Sequence, residues 1–108
     1  MNSNILIIGK NSFIAKNFIH NFNKTYNLFF FDYYFNKKDK KFLNRLSQVI
    51  KKNKIKIILN FAADNNNSLE TDNFDSILES NFYLPLDLFE ISNKFKITLF
   101  LFLSKDMD

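Results

Sequence analysis

Asn4-Ile-Leu-Ile-Ile-Gly9-Lys-Asn-Ser-Phe-Ile-Ala15 is the stretch around which the chain is organised. It opens with a short, continuously apolar run, which is typical of a strand buried on both faces of a parallel sheet. Gly9 is the only glycine of the protein, and it stands where this strand must turn into a helix. Such an arrangement presents a helix N-terminus to a phosphate group in nucleotide-binding α/β domains.

The residues after Gly9 predict an amphipathic helix over Ser12–Asn23. Asn11 or Ser12 can cap its first turn, because short polar side chains accept hydrogen bonds from the free N–H groups of a helix start. The apolar stripe of this helix is formed by residues at helical spacing, namely Ile14, Phe18 and Phe22.

Three more apolar runs alternate with helical patterns along the rest of the chain. Strands are predicted at Tyr26–Phe31, Ile55–Leu59 and Ile97–Leu103, and helices at Asp39–Asn53 and Asp72–Asn93. In the last helix Phe74, Ile77, Leu78, Phe82, Leu86 and Phe89 are expected to face inward. Pro85 lacks a backbone donor, so it predicts a kink or a restart there.

This alternation predicts an α/β fold, a Rossmann-like parallel sheet with right-handed crossovers and helices on both faces. The expected strand order is 2-1-3-4. Its switch point then lies between strands 1 and 3, whose carboxyl ends carry the Gly9 loop and the Asn60–Ala63 loop. Ligands of such sheets bind in the crevice at that point.

Composition narrows the classes of function. The chain has 108 residues, 46% of them apolar, and no cysteine, so disulfides and thiol chemistry are excluded and one packed domain is expected over residues 1–108. His20 is the only histidine, and no metal site is predicted. Fourteen of the fifteen basic residues are lysine, so the net charge of +4 favours a solvated lysine surface over a nucleic-acid patch. No signal peptide or membrane span is visible, which predicts a cytoplasmic protein.

Two further features belong to the same edge of the predicted sheet. Asp32 closes strand 2, 23 residues after Gly9, where a carboxylate can accept hydrogen bonds from an adenosine ribose. Ala62 and Ala63 follow strand 3, and their small side chains would let a ligand lie close to the backbone.

With these features the sequence resembles the extended short-chain dehydrogenase/reductase superfamily, which holds the NAD-dependent epimerases and dehydratases. Its Gly-x-x-Gly-Phe-Ile-Gly loop is similar to Gly9–Ala15, its Val-Ile-(His/Asn)-Leu-Ala-Ala segment to Ile58–Ala63, and its Asn-x-x-(Gly/Pro)-x-x-Leu helix to Asn81–Leu88. The short path from Asp32 to strand 3 is most like the dTDP-4-dehydrorhamnose reductase subgroup.

The resemblance implies a bound NAD or NADP. The residues that it places at this cofactor are Gly9, Asn11, Ser12, Phe13, Ile14, Asp32, Phe61, Ala62, Ala63 and Asn81. Asp32 favours NAD because a carboxylate repels a 2′-phosphate, whereas Lys37 and Lys38 could receive that phosphate, so NADP stays open.

The sequence also departs from the family's pattern. Ser12 and Ala15 replace the second and third glycines of the loop. The catalytic Tyr-x-x-x-Lys of the family follows the fourth strand, and no tyrosine stands after Tyr83 here. Ser104 is the sole candidate for the family's catalytic hydroxyl, although the alignment can place Lys105 there instead.

The expected function is therefore the NAD(P)-binding N-terminal part of a sugar-nucleotide epimerase, dehydratase or reductase, inactive by itself. The fourth strand is apolar on both faces, so we expect a missing C-terminal half, a second copy or another subunit to cover it. The alternatives are a non-enzymatic interaction module that docks through this strand, and a basic nucleic-acid binder.

Overall fold

The computed structural model describes residues 3–32, 41–62 and 83–102. Within these ranges the strands are β1 (Asn4–Ile8), β2 (Asn27–Phe31), β3 (Ile57–Asn60) and β4 (Thr98–Leu101). The helices are α1 (Phe13–Phe22), α2 (Phe42–Lys52) and α3 (Leu84–Phe95).

The strands form one parallel sheet in the order β2-β1-β3-β4. This confirms the predicted α/β class and strand order. β1 is central because four of its five residues are buried apolar side chains, which suits a strand with neighbours on both edges and layers on both faces. The register pairs Ile8 with Phe31 of β2 and with Asn60 of β3, so all three strands end together.

Side chains that alternate along β1 divide the core between the two faces of the sheet. Ile5 and Ile7 pack with Ala15 of α1, whereas Leu6 and Ile8 pack with α2 and α3. Helices therefore cover both faces, as predicted.

The predicted stripe of α2 is confirmed, since Phe42, Leu46 and Ile50 are buried. In α1 Phe18 packs against the core as predicted, whereas Ile14 and Phe22 are exposed and Ala15 is the fully buried residue. A methyl side chain at position 15 lets the helix lie close to β1 and β3, and this turns Ile14 away from the sheet.

The predicted orientation of Leu86 and Phe89 in α3 is wrong. Phe89 is 64% exposed and Leu86 also faces out, because the buried stripe consists of Leu84, Leu88 and Ile91. Pro85 lies in the first turn of α3, where no intrahelical donor is lost. The predicted helix before Tyr83 lies outside the described residues.

Candidate functional site

The turn after β1 is held against the chain that leaves β3. Gly9 has φ +84°, a conformation that side chains with a Cβ atom rarely adopt. A Cβ on Gly9 would lie 2.4 Å from the backbone nitrogen of Ala62 and 2.7 Å from the carbonyl carbon of Phe61. The turn is closed by the Ser12 N–H, which donates to the Gly9 carbonyl at 3.2 Å. Glycine is therefore required here by both conformation and space.

Ser12 caps α1, as the sequence predicted. Its backbone is extended, with φ −70° and ψ 156°, and its Oγ accepts a hydrogen bond from the Ala15 N–H at 3.1 Å. A serine at this position thus causes no backbone strain, because the position needs no positive φ.

The N-terminus of α1 keeps donors for a ligand. Two N–H groups of the first turn are hydrogen-bonded to Ser12. The Lys16 N–H donates to the Ser12 carbonyl at 3.0 Å, and the Ala15 N–H donates to the Ser12 Oγ. The N–H groups of Phe13 and Ile14 precede the first intrahelical bond and point off the helix end. Together with the helix dipole they favour an anion.

Apolar side chains surround these donors. Phe13 is 80% exposed, and Ile14 is also exposed. Two consecutive exposed apolar side chains therefore border the turn of Gly9.

Asp32 follows β2 directly, and its carboxylate faces the Gly9 turn. Its Oδ1 lies 3.9 Å from the Nζ of Lys10, with the two side chains 55% and 45% exposed. The Lys10 Nζ also lies 5.9 Å from the centre of the Phe30 ring. A cation and a carboxylate therefore stand at the outer end of the crevice.

The segment after β3 forms the opposite wall. The buried Asn60 accepts a hydrogen bond from the Ala62 N–H at 3.1 Å through its Oδ1, which fixes the turn against Gly9. Phe61 is buried, and its ring stacks on Phe102 with centroids 4.6 Å apart. The Phe61 side chain is thus part of the core.

The structure brings several of the predicted cofactor residues to one edge of the sheet, namely Gly9, Asn11, Ser12, Phe13, Ile14, Asp32, Phe61 and Ala62. Ala63, Asn81 and Ser104 lie outside the described residues. Sequence reasoning missed Lys10 and the role of Asn60. The pairing of Lys10 with Asp32 follows from two neighbouring parallel strands ending together, and the predicted strand order was the signal that could have found it.

Among residues 3–32, 41–62 and 83–102 no group of three His, Cys, Asp or Glu side chains is arranged to hold a metal ion. In the same ranges no helix has the length and apolarity needed to cross a membrane.

The sheet order, the helices on both faces and the glycine turn at the switch point define a Rossmann-like α/β fold. Solved structures share it. The chain is similar to a dTDP-4-dehydrorhamnose reductase from Bacillus anthracis str. Ames in complex with NADP, with a TM-score of 0.72 and 22% identity over 92% of this chain. It is also similar to a monomeric L-threonine 3-dehydrogenase from a metagenome, with a TM-score of 0.66 and 15% identity over 88% of this chain.

These likenesses concern the fold. The chain spans 35% of the length of the reductase and 34% of that of the dehydrogenase. No protein-family profile matches the chain, and no curated protein sequence matches it either.

Proposed function

We propose that this chain is the NAD(P)-binding part of a sugar-nucleotide reductase, epimerase or dehydratase. The observation that carries the proposal is that the start of α1 and the carboxylate of Asp32 lie at the same edge of the sheet, beside the turn of Gly9. The solved reductase of the same fold is in complex with NADP. The resemblance of three ordered sequence motifs supports the same class.

The donors at this crevice fit a dinucleotide. The N–H groups of Phe13 and Ile14 are suited to the pyrophosphate, and the hydroxyl of Ser12 keeps a proton to donate while its oxygen accepts from Ala15. Asp32 is placed to accept from ribose hydroxyl groups. The exposed Phe13 and Ile14 side chains supply an apolar rim that a bound nucleotide would cover.

We further propose that these 108 residues do not catalyse the reaction alone. A nicotinamide cofactor would supply hydride transfer, and the residues described above bind and orient it without moving a proton. Ser104 stays a candidate for a hydroxyl near the substrate. The tyrosine that the family uses for proton transfer has no counterpart after β4 in this sequence.

Cofactor binding tests the proposal directly. We expect saturable changes in NADH or NADPH fluorescence when the purified chain is titrated. Phe13→Asp should weaken binding at least about tenfold, the effect of roughly 1.4 kcal/mol, because its carboxylate repels the pyrophosphate. The same charge suits the first turn of a helix, so folding should be preserved.

The matched control is Phe89→Asp, which adds the same charge at an exposed phenylalanine of α3, on the other face of the sheet. It should change the dissociation constant less than about threefold, since charges beyond the Debye length are largely screened. Absence of saturable binding at millimolar cofactor, or equal effects of the two substitutions, would contradict the proposal.

The apolar strand β4 supports a second candidate, a module that associates with another copy of itself. Phe100 is 49% exposed and Leu101 is also exposed, although both lie on a sheet strand. Such a strand pairs readily with other chains. Size-exclusion chromatography distinguishes self-association from cofactor binding. A monomer at all concentrations would exclude self-association, and it would not contradict the proposal of cofactor binding.

A further inference from the structure

Lysines gather at the edge of the sheet where the strands begin, opposite the crevice. Two parallel strands joined by a helix require the helix to run back, so α2 and α3 end at the edge where β3 and β4 begin. These helix ends and strand starts carry six exposed lysines, namely Lys51, Lys52, Lys54, Lys56, Lys94 and Lys96. We call this surface the lysine edge.

Contacts between the elements show that these lysines belong to one surface. The Lys56 carbonyl accepts from the Thr98 N–H at 3.1 Å, which sets the starts of β3 and β4 side by side. Lys51 of α2 and Lys94 of α3 place their Nζ atoms 5.7 Å and 5.4 Å from the centre of the same Phe95 ring. Cations from two helices therefore share a single aromatic side chain.

No ion pair joins the lysine edge to an acidic side chain of the described residues. The acidic residues of those ranges are Asp32, Asp87 and Glu90. Asp32 follows β2 at the opposite edge, and Asp87 and Glu90 lie in the first two turns of α3, which begins at that opposite edge. The lysine edge is therefore a surface of one charge sign, and such a surface attracts anionic partners.

Two of the lysines stand where the backbone does not favour them. Lys54 has φ 50° and Lys96 has φ 56°, in the left-handed region that glycine and asparagine adopt more readily. Asparagine is frequent in this chain, yet both positions hold lysine. A helix dipole favours cations in the last turn of a helix, but it does not require them at a positive φ beyond that turn.

The chemistry of the lysine edge fits phosphodiesters better than a bilayer. None of the exposed large apolar side chains of the described residues lies in these helix ends or strand starts, so the edge has no apolar group to insert among lipids. The chain's single arginine, Arg45, lies in the first turn of α2, at the other edge. Lysine is a point charge without the planar fork of arginine, and contacts to phosphates carry no sequence information.

We propose that the lysine edge binds the phosphate backbone of a nucleic acid without sequence preference. The net charge of the whole chain does not favour such a partner, whereas the collection of lysines on one edge does. The inference goes beyond the proposed function and does not rest on it, because the candidate cofactor residues lie at the opposite edge of the sheet.

Fluorescence anisotropy of a labelled duplex DNA of mixed sequence measures binding by the full chain. With about four lysines on phosphates, the affinity should fall roughly a hundredfold between about 50 and 200 mM salt. Lys54→Asn/Lys96→Asn removes two charges and places residues suited to a positive φ, so it should not lower the midpoint of urea denaturation. It should weaken binding at least about tenfold at low salt and reduce the salt slope by about two.

The matched control removes two charges at the other edge. Lys10 follows Gly9, and Lys16 lies in the first turn of α1. Lys10→Gln/Lys16→Gln should change the affinity for the duplex less than about threefold and leave the salt slope unchanged. Equal losses in the two double variants would overturn the inference, because the net charge alone would then explain binding. Absence of binding to the duplex at low salt would overturn it as well.

Competition identifies the partner. Unlabelled RNA should displace the duplex whatever its sequence, whereas polyglutamate, with one charge per about 3.5 Å against about 1.7 Å in a duplex, should displace it poorly. Equal displacement by polyglutamate, or preferential binding to phosphatidylserine vesicles, would overturn the inference. Titration with NADH should be unchanged by Lys54→Asn/Lys96→Asn, so loss of nucleic-acid binding and loss of cofactor binding are distinguishable.

Discussion

Replacing Gly9 by alanine should lower the free energy of unfolding by straining the turn that follows β1. The alanine must adopt φ +84°, which costs an L-residue about 1–2 kcal/mol. Its Cβ would also stand 2.4 Å, 2.7 Å and 2.8 Å from three backbone atoms of Phe61 and Ala62. Separating β1 from the end of β3 to make room adds an overpacking cost of about 1–3 kcal/mol.

The expected loss is therefore about 2–5 kcal/mol, a large part of the roughly 5–15 kcal/mol that stabilises a domain. Urea denaturation followed by far-ultraviolet circular dichroism measures it as a lower midpoint. Lys10→Ala is the matched control, because it truncates the exposed neighbouring residue and should change the free energy of unfolding by less than about 0.5 kcal/mol.

A second substitution tests the cause. Ala62→Gly in the Gly9→Ala background should not restore stability, since the atoms that the new Cβ meets belong to the backbone and remain in glycine. The reasoning is refuted if Gly9→Ala unfolds within about 1 kcal/mol of the unaltered chain, because neither the φ strain nor the overlap would then exist.

Three further substitutions test the local structure by the same denaturation assay. Ser92→Ala should stabilise the chain by about 1 kcal/mol, because the buried Ser92 hydroxyl has no hydrogen-bond partner among the described residues; a loss of stability would show that it has one. Lys96→Gly should stabilise by about 0.5–1 kcal/mol, because Lys96 ends α3 with φ 56°, where glycine is unstrained; an unchanged midpoint would argue against that strain. Ser12→Ala should destabilise the chain by about 1 kcal/mol, because the hydrogen bond from the Ala15 N–H to the Ser12 side chain is lost. Ser12→Thr keeps a hydroxyl and should retain most of the stability; equal effects of the two substitutions would exclude capping.

The fold class and the strand order could be predicted, because apolar runs and helical patterns alternate along the chain. Continuous apolar runs give buried parallel strands, and a chain that alternates such runs with helices has few ways to arrange them. The buried apolar face of α2 was equally predictable, because its polar residues leave a single apolar face.

The inward face of α3 could not be predicted from periodicity alone. Leu84, Leu88 and Ile91 form one stripe at helical spacing, and Leu86 and Phe89 belong to a second one. Hydrophobicity does not distinguish two such stripes, and the choice is made by where β4 places the helix over the sheet. The contact of Lys10 with Asp32 is likewise a product of neighbouring strands, since the two residues share no local pattern.

Gly9 itself is weaker evidence for a ligand than its position suggested. Its contact with the backbone of Phe61 and Ala62 requires glycine whether or not a phosphate is bound, so the fold alone explains its presence. The proposed ligand is supported instead by the carboxylate of Asp32 after β2, which lies at the same edge of the sheet as the donors at the start of α1. Experiment can distinguish the requirement of the fold from that of the ligand. Gly9→Ala should lower the free energy of unfolding, whereas Phe13→Asp should lower the cofactor affinity and leave the free energy of unfolding unchanged.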